Sequence, residues 1–259
     1  MKTITKLLFT ALAVLPQLKG YSQGNDQIKK KKVLIVVTST GEVKNTGDKI
    51  GLWIEEFATP YYVLKDKGVD VTVASPKGGK SPIDPRSALP DYSTDAVKRF
   101  FGDTAAQDVL NHTIALNEIH AKDYDAVFYS GGHGPMWDLP DNRYSIRLIE
   151  FLYNSGKPVA FVCHGPVALK NVKTKEGSLL IKGKKVAGYA NTEENAGKTT
   201  GYIPFLLEDM LTTEGANYVK GPDWHPFAVS DGLLITGQNP ASAGLVTEKL
   251  MTALSGQKN

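Results

Sequence analysis

Val33 to Val37 is an apolar run without a polar break, followed by a polar, glycine-containing stretch and then by a different rhythm, with Ile50, Ile54, Phe57, Tyr61 and Leu64 recurring every three or four residues. The first pattern predicts a strand buried on both faces and the second a helix over 50–67. The alternation continues down the chain. Val69–Ala74 and Asp125–Ser130 read as strands, Asn142–Asn154 as a helix, and Val159–Val162 as a strand followed by a helix whose first turn is Val167–Leu169. Val186–Tyr189, Tyr202–Thr213, Leu233–Thr236 and Ser242–Leu254 complete the pattern as strand, helix, strand and helix. Wholly apolar strands separated by helices predict an α/β domain, its mostly parallel sheet covered by helices on both faces. Ligands of such sheets collect beyond the carboxyl ends of the strands.

No internal repeat interrupts this order, and one domain over 33–255 accounts for it. The stretch from Ser75 to Asp103 is rich in Pro, Gly and Asp. It reads equally as a lid or binding loop and as a surface excursion. Ahead of the first strand, Lys2 and Lys6 precede the apolar stretch Leu7–Leu15, and Gly20-Tyr-Ser22 has the small-x-small form of a processing site. Residues 1–22 therefore read as a signal peptide, with a mature chain starting near Gln23 and secreted or periplasmic. Residues 23–32 form a basic linker. The apolar stretch is too short to span a bilayer, so no stable membrane insertion is expected.

Composition narrows the function. Thirty basic against 27 acidic residues leave a formal net charge of +3, and the only basic run is Lys29–Lys32, so nucleic acid is not an expected partner. A single cysteine, Cys163, excludes an internal disulfide. It stands where the apolar run Val159–Val162 ends and Gly165 permits a tight turn. A strand-to-helix corner lifts such a side chain out of the sheet; the helix dipole would favour a thiolate well below the ordinary thiol pKa of about 8.5, and free backbone N–H groups would hold an oxyanion. The adjacent His164 is a candidate proton carrier. The five histidines are scattered without a close ligand pair, so no metal is expected.

Four ordered motifs carry a resemblance: Glu56 with Pro60 four residues later, Ser130-Gly-Gly-His-Gly134, Cys163-His-Gly-Pro166 and Gly237-Gln-Asn-Pro-Ala-Ser242. Together they resemble the DJ-1/PfpI superfamily, and within it the Hsp31-like glyoxalase III group, from about Val33 to Leu254. The resemblance implies a flavodoxin-like fold, a homodimer and a cysteine nucleophile. It matches Cys163 to the nucleophile, His164 to its partner histidine, the backbone of Gly132 and His164 to the oxyanion hole, and Glu56 to the helix glutamate beside the thiol. The more apolar helical neighbours of Glu56, compared with those of Glu55, agree with that match and should keep its carboxyl protonated. In Gly188-Tyr-Ala-Asn-Thr-Glu-Glu194, alignment by the glycine favours Glu194 as the acid that orients the imidazole, with Glu193 as the alternative. His133 is a candidate contact for a substrate carbonyl. His225-Pro226 resembles the His-Pro pair of glutamine amidotransferases, but Phe227 stands where their glutamate follows.

The resemblance thus implies an enzyme that turns small reactive 2-oxoaldehydes such as methylglyoxal into 2-hydroxy acids without a cofactor. The first strand is not followed by a Gly-x-Gly-x-x-Gly fingerprint for a nicotinamide. A cysteine hydrolase, and a stress chaperone or redox sensor, are the competing expectations.

Overall fold

The computed structural model describes residues 30–44 and 46–256. The expected signal peptide and most of the basic linker lie outside the described residues. Among the described residues no helix is long and apolar enough to cross a membrane.

Seven strands make the main sheet: β1 (Lys32–Val36), β2 (Asp70–Ser75), β3 (Ile114–Ala115), β4 (Ala126–Tyr129), β5 (Val159–Val162), β8 (Ala228–Asp231) and β9 (Leu234–Gly237). Their order is β3-β2-β1-β4-β5-β9-β8, parallel except for the edge pair β8–β9. Val33 pairs with Val71 on one side and Ala126 on the other, and Val159 sits between Val127 and Leu234. Every residue of β4, β5 and β9 is buried, which explains why these strands read as apolar runs rather than alternating ones.

Winding leaves β1 in both directions, toward β2 and toward β4. With the right-handed crossovers that parallel strands adopt, winding in two directions puts α1 (Glu55–Asp66) and α5 (Arg143–Asn154) on opposite faces. On the α1 face lie α8 (Ala243–Leu254), packed on α1, β5 and β9, and α2 (Asp95–Gly102), with α3 (Thr104–Asn111) beside it. Short α4 (Pro135–Asp138) follows β4. A separate two-stranded ribbon, β6 (Lys185–Val186) with β7 (Asn217–Tyr218), accompanies α6 (Asn191–Ala196) and α7 (Leu207–Thr213).

Several expected boundaries move, each for a physical reason. The predicted helix over 50–67 starts only at Glu55. Leu52 pairs instead with the long loop, its N–H donating to Pro82 O at 2.9 Å and its O accepting from Asp84 N at 2.9 Å. Ile50, Leu52 and Ile54 are all buried, so an extended segment carries the apolar signal into the helix. The expected strand at Val186–Tyr189 belongs to the side ribbon, not the main sheet. The expected helix over 202–213 begins at Leu207, because Pro204 forces the residue before it out of the helical region. Strand β8 is half-exposed, so it lacks an apolar run to betray it. The stretch Ser75–Asp103 is not featureless: Thr94 caps α2, and 3-10 turns occupy Pro85–Ala88 and Pro90–Tyr92.

Candidate active site

Cys163 leaves the end of β5 with φ +57°, a left-handed conformation that costs a non-glycine residue about 1–3 kcal/mol. Its backbone is held from both sides, its N–H donating to Gly237 O at 3.0 Å and its O accepting from Tyr189 N at 2.9 Å. Gly165 completes the corner, since a Cβ there would lie 2.6 Å from Tyr129 O. The expected helix after the corner is a single 3-10 turn, Gly165–Leu169, with proline at its start. The helix dipole expected to favour the thiolate is therefore missing. Burial, with the charge Glu56 carries when ionised as the second cause, pushes the Cys163 thiol up rather than down, against a hydrogen bond from the Gly132 backbone. The thiol is thus shifted in the direction opposite to the low pKa expected from a helix N-terminus.

Glu56 is fully buried on the first turn of α1 and faces the thiol. Its Oε2 accepts from Gly131 N at 2.7 Å, while Oε1 has no partner at ordinary hydrogen-bond geometry among the described residues. Burial pushes its carboxyl up to about 8, against hydrogen bonds involving Cys163 and Gly131. At neutral pH it is a neutral acid able to donate to sulfur. Glu55 turns away, accepting from Thr59 Oγ1 at 2.6 Å and from Thr94. The close approach depends on Gly131, where a Cβ would meet Glu56 Oε2 at 2.5 Å and His164 N at 2.8 Å.

A raised carboxyl pKa means the native state holds a proton that the unfolded chain has released. The resulting stability is complete below about pH 4.5 and is lost as pH rises toward 8. Glu56→Gln removes that loss. Between pH 5 and 8 the wild type falls in stability relative to Glu56→Gln, by on the order of a kcal/mol per pH unit. Chemical denaturation of both proteins across this range checks it; parallel curves would place a charged glutamate at the site.

His164 links thiol and acid. Its Nδ1 lies 3.4 Å from Cys163 Sγ and its Nε2 lies 2.7 Å from Glu194 Oε2, on α6. The other oxygen, Oε1, accepts from His133 Nε2 at 3.0 Å and from the Thr199 hydroxyl. Burial opposes ionisation of Glu194, but the charge His164 carries when protonated and the hydrogen bonds from both imidazoles hold its carboxyl well below the usual range. His133 sits between two protein partners, because Arg86 Nη2 donates to its Nδ1 at 3.0 Å. Its proton is thereby fixed on Nε2, and burial together with the charge His164 carries when protonated lowers its pKa to about 4. Both ring nitrogens are thus engaged, and neither is left for the substrate contact expected of His133.

Glu193, the alternative acid, points elsewhere: it accepts from Ala190 N at 3.1 Å, Trp224 N at 2.8 Å and Asn239 Nδ2 at 2.8 Å. Arg86 was not anticipated. It comes from the Ser75–Asp103 stretch, anchored by Asp84 through Nε at 2.9 Å and Nη2 at 2.5 Å, and stands 4.9 Å from the Tyr202 ring centre. Asp84-Pro-Arg86 was visible in the sequence, but its reach depends on the pairing of Leu52 with Pro82 and Asp84.

Among the described residues, one grouping has metal-ligand chemistry: His133, His164 and Glu194, with ligand atoms within 4.8 Å of one another. Those atoms already hydrogen-bond to each other, with the imidazole nitrogens as donors to the carboxylate. The donor set fits a proton relay better than a cation.

Cys163 opens into a cleft of about 710 Å³, bordered by Trp53, Arg86, Tyr92, Tyr189 and Trp224. Tyr189 lies against His164 with ring centres 4.4 Å apart, which limits how the imidazole can turn. The site therefore combines a nucleophile, a base with a fixed tautomer, a neutral acid beside sulfur and the backbone N–H of Gly132.

Comparison with known proteins agrees with this arrangement. The chain is 32% identical to Glyoxalase 3 of Candida albicans over 232 residues, 86% of this chain and 98% of that protein. It is 30% identical over 236 residues to the Glutathione-independent glyoxalase HSP31 of Saccharomyces cerevisiae, covering 86% and 98% of the two chains. Among solved structures, the Rapid Encystment Protein 24 KDa of Francisella tularensis superposes with a TM-score of 0.82 at 35% identity, covering 86% of this chain and 99% of its own. Glyoxalase III of Candida albicans gives 0.80 at 30% identity, with 86% and 97% covered. The sequence model of the DJ-1/PfpI family matches residues 54–253, a span that begins two residues before Glu56 and takes in Cys163, His164 and Glu194, and the chain belongs to that family.

Proposed function

We propose that this protein is a glutathione-independent glyoxalase of the glyoxalase III type, converting 2-oxoaldehydes to 2-hydroxy acids. The observation that carries the reading is the hydrogen-bonded series Cys163–His164–Glu194 at the floor of a cleft, in a chain whose full-length relatives are named glyoxalases. His164 Nδ1 takes the thiol proton as Cys163 Sγ bonds to the aldehyde carbon, and then returns it to the new oxyanion. Gly132 N–H, directed at the thiol, is placed to hold that oxygen. His164 next removes the C1 hydrogen of the hemithioacetal and delivers a proton to C2, while the C1 hydroxyl proton passes to the C2 oxygen. C1 is oxidised to a thioester and C2 is reduced to an alcohol, so electrons balance within the substrate. Water then cleaves the thioester, releasing the 2-hydroxy acid and restoring the thiol. Glu194 holds the imidazole through Nε2 so that Nδ1 faces sulfur throughout.

Purified protein given methylglyoxal without glutathione should produce lactate at a rate far above the protein-free background. Absence of lactate, with release of ammonia or peptide from acyl substrates instead, would assign the same residues to hydrolysis.

A further inference from the structure

The cleft is much larger than a three-carbon oxoaldehyde requires. About 710 Å³ falls within the roughly 300–1,000 Å³ that takes ligands of drug size, whereas a three-carbon aldehyde bonded to Cys163 would fill only the part next to the thiol. The remaining space is bordered by two aromatic pairs. Trp53 meets Tyr92 edge-on at 5.0 Å, and Tyr189 meets Trp224 at 6.0 Å and 67°. Tyr189 also covers His164, so one aromatic surface runs from the catalytic imidazole to the mouth of the cleft.

Trp224 is the unusual member. It is half exposed, and it holds a left-handed backbone, φ +64°, which is an outlier for so bulky a residue. Strain of this kind persists where the surroundings over-determine it. Here the fully buried Glu193 does so, with Oε1 accepting from both Trp224 N and Asn239 Nδ2. Asn239 in turn holds His225 O at 2.9 Å, the residue after the tryptophan. A buried carboxylate thus positions an indole that the core does not need, at the entrance to the reactive thiol.

Resting on the glyoxalase reading, we propose that the cleft selects 2-oxoaldehydes whose second carbon carries a flat aromatic substituent, with Trp224 and Trp53 as the walls that receive it. The aldehyde carbon meets Cys163 and the aryl group extends along the Tyr189–Trp224 surface. Stacking of the ring on these walls raises kcat/KM chiefly through KM. The chemistry is unchanged: phenylglyoxal and water give mandelate, with C1 oxidised and C2 reduced.

The test compares initial rates on phenylglyoxal and methylglyoxal, measured before phenylglyoxal modifies arginines. Wild type should favour phenylglyoxal by about tenfold or more in kcat/KM. Trp224→Asn keeps a residue that tolerates the left-handed backbone while removing the ring, and it should bring the ratio close to one; Trp224→Phe should retain most of it. Turnover of methylglyoxal with no aryl preference overturns the proposal and leaves the glyoxalase reading standing. An unaltered ratio in Trp224→Asn overturns it too, and if that variant also loses a wild-type oligomer in sedimentation, the indole belongs to a subunit contact. If wild type turns over neither aldehyde, the glyoxalase reading fails, and tryptophan fluorescence titration with mandelate and lactate decides the cleft: tighter mandelate supports the aromatic subsite, equal affinities remove it.

Discussion

Cys163→Ser lowers kcat/KM for methylglyoxal by about 10⁴-fold or more, with the fold intact. The serine hydroxyl is far less acidic than a thiol, and the base beside it among the described residues is His164, whose Nδ1 sits at a distance suited to sulfur, 3.4 Å. The shorter side-chain bond of serine draws the oxygen back from that nitrogen. The corner itself survives, because its left-handed backbone is fixed by Gly237 O and Tyr189 N rather than by the side chain. Lactate formation and near-ultraviolet circular dichroism, measured on the same preparation, separate the two effects. Wild-type turnover by the serine variant would exclude the covalent route.

The second large effect comes from adjacent glutamates with different duties. In Glu194→Gln, kcat falls by about 10³–10⁴-fold. Three donors converge on this carboxylate, from His164, His133 and Thr199, and an amide turns an N–H toward one of them. His164 then loses either its contact or the tautomer that leaves Nδ1 free to accept. Glu193→Gln acts on stability instead, lowering it by about 1–3 kcal/mol, since an amide accepts fewer of the bonds from Ala190 N, Trp224 N and Asn239 Nδ2. Steady-state rates on methylglyoxal and denaturant titrations of both variants check the assignment. If Glu193→Gln abolishes turnover while Glu194→Gln retains it, the identity of the acid is reversed.

Much of this was legible from hydrophobic patterning. The apolar runs of β1, β4 and β5 place the turns after β4 and β5 at one end of the sheet, which is where Gly131, Gly132 and Cys163 meet. Glu56 stood out from Glu55 because its helical neighbours are more apolar, and its burial follows. The helix expected after Cys163 failed on local chemistry: Gly165 and Pro166 permit a tight turn, and three apolar residues do not distinguish a 3-10 turn from an α-helix. Glu193 and Glu194 could not be separated by pattern, because they lie about 100° apart on one short helix and only the partners on other segments decide between them. Arg86 and Trp224 were out of reach for the same reason. Each lies in a segment whose course is set by distant partners, Arg86 through the backbone of Leu52 and Trp224 through the side chains of Glu193 and Asn239.

Helix α6 is six residues long and carries both glutamates, one holding the imidazole of His164 and the other the backbone of Trp224 at the entrance. The two tasks are mechanically interlocked. A substitution that displaces this helix therefore disturbs the anchor of His164 and the backbone support of Trp224 together. Proton transfer at the thiol and the shape of the cleft wall thus stand on one short segment, and neither can be altered through that segment without the other.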